Sequence, residues 1–145
     1  MPAPTPPPIS RVIETCLYAE DLDAAERFYH DILRLPLAAR EAGRHVFFRC
    51  GECMLLIFNP RSTAREETHV GGDLIPLHGA LGAGHVAFAV TREALPRWQA
   101  HLRQAQIPIE SHVTWPNGAE SLYFRDPAGN SVELVMPELW RDLAD

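Results

Sequence analysis

The chain has 145 residues, the size of one domain, and 46% of them are apolar, enough to build a core. Its formal net charge is −6 and all 13 basic residues are arginines scattered from Arg11 to Arg141, so the clustered positive charge that a nucleic-acid backbone demands is missing. No run approaches ~20 consecutive apolar residues, which argues against a membrane span.

Residues 1–10 read as a flexible, proline-rich tail, without the basic start and apolar stretch of a signal peptide. Arg11 to Tyr18, rich in Val, Ile, Thr and Leu, predicts a first strand. Asp21-Leu-Asp23 opens a helix to about Arg34, with Ala24, Phe28, Ile32 and Leu33 as its buried stripe. Leu35-Pro-Leu37 begins a second strand, Glu41-Ala-Gly43 turns the chain, and Arg44–Cys50 and Met54–Asn59 predict two more. The result is a βαβββ module over residues 11–60. Cys50-Gly-Glu-Cys53 has C-x-x-C spacing, but it falls in a turn between strands rather than at a helix start. No second pair exists to complete a zinc site. Three cysteines suit a reduced, cytoplasmic protein.

Residues 61–81 are polar and glycine-bearing and read as a long connector. The order then repeats over residues 82–145. Gly84–Val90 predicts a strand and Arg92 to about Gln104 a helix carrying Leu95, Trp98 and Leu102. Ile107 to about Trp115, Glu120–Arg125 and Ser131–Met136 predict three strands, the last two separated by the turn Asp126-Pro-Ala-Gly-Asn130. Leu139, Trp140 and Leu143 suggest a short closing turn. Leu35-Pro-Leu37 mirrors Ile107-Pro-Ile109, and Phe48-Arg49 mirrors Phe124-Arg125. A lone βαβββ unit leaves one sheet face bare, so two such modules are expected to pair within one domain. The fold class is α+β: two βαβββ modules forming a curved mixed sheet around a cavity.

Strand alternation selects the chemistry. Val12, Glu14, Cys16 and Tyr18 share one face of the first strand. His85, Ala87 and Ala89 share a face of the first strand of the second module, where small neighbours leave room beside the imidazole. Ser131, Glu133 and Val135 share a face of the last strand. Glu14, His85 and Glu133 are thus three candidate metal ligands. Two carboxylates and an imidazole suit a divalent ion such as Fe, Mn, Co, Ni or Zn, with positions left open for substrate or water. Singly, Glu14 is equally readable as a solvent-facing residue, His85 as structural, and Glu133 as the partner of Arg49 or Arg125. Alternation also places His45, Phe47, Arg49, Trp115 and Tyr123 where they can line a small-molecule pocket, Phe47 and Tyr123 reading equally as core, and Cys16 and Ser121 are further candidates for its lining. His78 and His112 read as surface residues.

These features resemble the vicinal oxygen chelate superfamily, which includes glyoxalase I, extradiol dioxygenases, fosfomycin resistance enzymes and bleomycin resistance proteins. The resemblance runs from about Val12 to Leu139. It is carried by Glu14 before Asp21-Leu22, by Ala25-Glu-Arg-Phe-Tyr29, by Gly84-His-Val-Ala-Phe88 and by Tyr123-Phe-Arg-Asp-Pro-Ala-Gly-Asn-Ser-Val-Glu133-Leu134. It implies metal ligands at Glu14, His85 and Glu133, with Glu14 or Glu133 also able to shuttle a proton. It further implies a small-molecule substrate and a homodimer, and the chain shows no nucleotide-binding motif that would imply an organic cofactor. Many members carry His where this chain has Glu14, and the carboxylate that glyoxalase I uses as a fourth ligand falls within Leu55-Leu56-Ile57. A four-ligand lactoylglutathione lyase is therefore not expected. A threonine that the fosfomycin enzymes carry two residues after the first ligand is Cys16 here. The expectation is a metal-dependent enzyme that chelates vicinal oxygens and stabilises an enolate or oxyanion. The alternative is a metal-free drug- or metabolite-binding protein.

Overall fold

A computed structural model describes residues 1–141. The first module runs β1 (Glu14–Tyr18), α1 (Leu22–Glu26) continuing as a π-helical stretch (Arg27–Ile32), β2 (Leu37–Glu41), β3 (His45–Cys50) and β4 (Cys53–Phe58). Its sheet has the order β1-β4-β3-β2, with β1 parallel to β4 and the other pairs antiparallel. After α2 (Pro60–Thr63) and the hairpin of β5 (Thr68–Val70) and β6 (Asp73–Ile75), the second module repeats the plan. It comprises β7 (His85–Ala89), α3 (Leu95–Gln104), β8 (Ser111–Thr114), β9 (Glu120–Arg125) and β10 (Ser131–Val135) in the sheet order β7-β10-β9-β8. The two four-stranded sheets, one per module, are hydrogen-bonded separately. A 3-10 turn at Pro137–Trp140 closes the chain, and Leu143 lies outside the described residues.

The first strand starts three residues later than its composition predicts. Its partner β4 begins at Cys53 and the register pairs Glu14 with Met54, so the strand pairing reaches back only to the Ile13 carbonyl, which accepts from Met54 N at 2.9 Å, and residues 11–12 run past the end of the sheet. Asp21 caps α1 as expected, its side chain accepting from Ala24 N at 3.0 Å. The connector is not structureless: Gly71-Gly72, both at positive φ, make the two-residue turn that pairs β5 with β6. Arg34 (φ 62°) and Gln106 (φ 60°) sit at matching points after the two helices, just before the Leu-Pro-Leu and Ile-Pro-Ile segments. The repeat therefore extends to the backbone conformation that ends each helix.

One core spans both modules. Leu17, Phe28, Tyr29, Val46, Phe48, Leu55 and Ile57 join Val86, Leu95, Leu102, Leu122, Phe124, Val132 and Leu134 in a single buried cluster. The π-helical continuation of α1 packs on the second sheet through Phe28 against Phe124, with ring centroids 6.1 Å apart. Three polar devices tie the modules. Tyr29 donates to buried Asp126 at 2.7 Å, and His101 Nε2–H donates to the Ile32 carbonyl at 2.8 Å. Asn130 accepts from Gly84 N at 2.7 Å and donates to both Tyr18 O and Asp126. Gly84 meets the first module so closely that a Cβ there would stand 2.9 Å from the Leu17 side chain.

With residues of β1, β3, β4, β7, β9 and β10 committed to this core, the other face of each four-stranded sheet is left free. On the second sheet that face carries His85, Ala87, Ser121, Tyr123 and Glu133; on the first it carries Glu14, Cys16, His45, Phe47, Leu56 and Phe58.

Candidate functional site

The register of the second sheet sets Glu133 between Ala87 on β7 and Tyr123 on β9, with His85 two residues back along β7. His85 Nε2 and Glu133 Oε1 are 3.2 Å apart. The Glu133 side chain is 7% exposed and that of His85 50%, so a buried carboxylate faces an imidazole open to its surroundings. The remaining contacts fix both groups. His85 Nδ1–H donates to the Ser131 carbonyl at 3.0 Å, which turns the Nε2 lone pair toward Glu133. Ser121, fully buried, donates to Glu133 Oε2 at 2.6 Å and accepts from Trp115 Nε1–H at 2.8 Å. Because the indole donates to it, the Ser121 hydroxyl sends its own proton to the carboxylate. Nε2 and Oε1 thereby face each other at 3.2 Å, a pairing that either a proton on the imidazole or a bound cation would satisfy.

Two ligands about 2.0–2.2 Å from one ion lie roughly 3 Å apart, and the His85–Glu133 separation of 3.2 Å fits this. Donation of the second imidazole N–H to a backbone carbonyl is the usual support of a metal-bound histidine. Tyr123 stacks beside His85 (centroids 6.3 Å, planes 21° apart), and burial, together with the Glu133 charge, pushes its phenol pKa up. It therefore stays protonated at neutral pH. A hollow of about 270 Å³ opens beside it, walled by Glu110, Ser111, Arg125 and Ser131.

Glu14 occupies on β1 the place that His85 occupies on β7, since Glu14 pairs with Met54 as His85 pairs with Ser131. It is exposed, and among the described residues no group of three or more His, Cys, Asp or Glu side chains converges. One chain therefore brings together two of the three expected ligands. The same register puts Leu56 opposite Cys16 and Phe47, where the second sheet has Glu133 opposite Ala87 and Tyr123. The first module thus has a leucine in place of the second carboxylate.

The rest of that face is aromatic. His45 stacks on Phe47 at 4.0 Å, and Phe58 stands edge-on to His45, Phe47 and His78. His78, read from the sequence as a surface residue, is partly buried and shares a 2.7 Å hydrogen bond with Tyr18 Oη. Its connector has no strand periodicity to announce this, and its placement depends on the His78 N–H reaching Thr63 O. Burial raises the Tyr18 pKa to about 12, helped by the neighbouring Cys16. Cys16 is exposed on this face, and Arg49 is exposed at its edge. Arg125 pairs with Glu110 at 2.7 Å rather than with Glu133. His112 is exposed as expected, on β8, with its Nε2–H donating to Glu120 at 2.8 Å.

Paired βαβββ modules with a polar constellation on one free sheet face define a two-module α+β protein. The chain belongs to the Glyoxalase/Bleomycin resistance protein/Dioxygenase superfamily, whose family model matches residues 11–134. It is similar to a crystal structure of lactoylglutathione lyase from Agrobacterium tumefaciens, with 44% identity, 92% of this chain and 98% of that chain covered, and a TM-score of 0.84. The metallothiol transferase FosB of Staphylococcus epidermidis is 25% identical over 87% of this chain and 81% of that protein. An integron cassette protein from a Halifax Harbour sewage outfall metagenome shares the fold at 18% identity, with coverage of 88% and 99% and a TM-score of 0.70.

Proposed function

We propose that this chain is a metal-dependent enzyme acting on a small substrate with vicinal oxygens, its divalent ion held by His85 and Glu133 and by Glu14 of a second copy in a homodimer. The observation that carries the reading is the His85–Glu133 pair: two lone-pair donors 3.2 Å apart, each oriented by its own hydrogen bond. Glu14 suits the third position because it stands at the equivalent place of the other module, exposed and without a side-chain partner among the described residues. Val12 and Ile13, 69% and 59% exposed just before it, favour burial of this end of β1 against another molecule. Three free cysteines accord with a reducing, cytoplasmic setting.

A divalent ion bound there would act as a Lewis acid, stabilising negative charge on chelated substrate oxygens as an enolate or oxyanion. The chain's residues divide the remaining work. Glu133 is held at both oxygens, by Ser121 and toward His85, and so serves as a fixed ligand. Glu14 has no side-chain hydrogen bond to fix it among the described residues and is the ligand that would leave the ion to exchange a proton with a substrate C–H. Tyr123, held protonated, donates a hydrogen bond to developing negative charge at the rim of the site. The aromatic face of the first module excludes water from the substrate. Similarity to proteins named lactoylglutathione lyase and metallothiol transferase supports an enzyme. Leu56 in place of a fourth carboxylate favours a three-ligand centre over a four-ligand one.

Metal analysis of tag-free protein tests the reading. It predicts about one divalent ion per chain, lost in both His85→Ala and Glu133→Ala while the thermal transition remains cooperative. Protein that takes up no Fe, Mn, Co, Ni or Zn would refute it and leave metal-free binding of a small ligand on the aromatic face.

A further inference from the structure

Cys50 and Cys53 lie away from this site. They are the last residue of β3 and the first of β4, joined by the turn Gly51-Glu52, and the register sets them directly opposite each other. Opposed residues project to the same face, here the face of Phe48 and Leu55 rather than that of Phe47 and Leu56. Cross-strand Cα atoms are about 4.5–5.5 Å apart in an antiparallel pair, inside the range of about 4.4–6.8 Å that a disulfide spans. Both thiols are free and partly exposed. Burial pushes the Cys50 thiol up, and the neighbouring Cys53 pushes it further, as two thiols within electrostatic reach must. Cys53 also donates to the Val12 carbonyl at 3.3 Å, and Arg11 pairs with Glu52 at 2.9 Å. Both contacts hold the segment leading into β1 against the hairpin tip.

We propose that Cys50 and Cys53 form a redox-responsive dithiol, a modification site at which a low-molecular-weight disulfide oxidises the chain to an intramolecular Cys50–Cys53 disulfide. The exchange balances in two steps. The Cys53 thiolate attacks one sulfur of the reagent RS–SR; that bond breaks, the Cys53–SR bond forms, and the departing thiolate takes a proton to become RSH. The Cys50 thiolate then attacks Cys53 Sγ, displacing the second RS group, which also leaves as RSH. Both protein thiols are oxidised, one reagent disulfide is reduced, and the two protein protons end on the two RSH molecules. Cys50, kept protonated by its burial, is the resolving thiol, so the second step speeds up as pH rises. The bond closes a loop of only four residues, which adds little stability, and it sits at an accessible hairpin tip where reduction is easy. Oxidation takes from Cys53 the S–H that holds Val12, loosening the entry to the strand that carries Glu14.

Glutathione disulfide is the probe, and the readout is peptide mass, which is independent of any bound metal. Trypsin cuts after Arg49 and Arg61, so one peptide, residues 50–61, holds both cysteines. After treatment that peptide is expected lighter by two hydrogen atoms, reverting with dithiothreitol, while Cys50→Ser leaves glutathione fixed on Cys53. An unmodified peptide, a lasting glutathione adduct in the wild-type chain, or a disulfide to Cys16 would each overturn the proposal. So would a Cys50→Ser protein that takes no glutathione at Cys53.

Discussion

A carboxylate has two oxygens, and at Glu133 each is given a separate task. Oε2 is held by Ser121, itself set by Trp115, and Oε1 is left facing His85. Ser121→Ala removes the donor and leaves both Oε2 and the indole N–H without their buried partner. The expected result is a roughly 10–100-fold loss of metal affinity with the fold retained, measured by competition with a chelating dye. Unchanged affinity would mean that the serine only packs. At His45 the sign of the pH dependence is fixed by burial, which lowers the pKa below that of a free imidazole; the nearby Glu41 opposes this and Arg44 adds to it. The folded chain resists protonation there while the unfolded chain does not. Stability is therefore present above the unfolded value and is lost as pH falls through it. Between about pH 7.5 and about pH 5.5, His45→Phe should lose less melting temperature than the wild-type protein does. An equal loss in both would remove His45 as a contributor.

At the scale of elements, the strands and their faces were legible because alternation survives wherever a strand has one buried side. Glu120–Arg125 is found at its expected bounds, and His85, Ala87 and Ala89 face away from Val86 and Phe88 as read. What escaped was set by tertiary pairing. The start of β1 depends on where the β3–β4 hairpin ends, and the β5–β6 hairpin was hidden in a polar segment whose only mark was Gly71-Gly72. In the candidate site, the proximity of His85 to Glu133 followed from one shared face. The bond from Trp115 to Ser121 did not, because it links the residue after β8 to β9. Joining of helix to sheet gives a stability prediction at this scale. Asp126 is 5% exposed and takes donors from Tyr29, Ala128 and Asn130. Tyr29→Phe withdraws one donor from a buried carboxylate and should cost about 1–3 kcal/mol in denaturant unfolding. A loss near zero would mean that the remaining donors satisfy the carboxylate alone.

At the scale of the molecule, the two modules share a plan and divide its labour. Equivalent positions hold His85 and Glu14, Glu133 and Leu56, Tyr123 and Phe47. The second module supplies the polar pair, while the first supplies a carboxylate and an aromatic wall, and one chain does not bring them into a three-ligand group. The proposed symmetric dimer, setting β1 of one copy against the second module of the other, would complete two sites at once. Subunit mixing tests this most directly. Glu14→Ala protein and His85→Ala protein each lack a ligand at every site and should bind metal poorly when separate. After subunit exchange, each mixed dimer should contain one site with all three ligands, and metal binding should return. If the mixture binds no more metal than its two components measured apart, the site is not shared between subunits and the account fails.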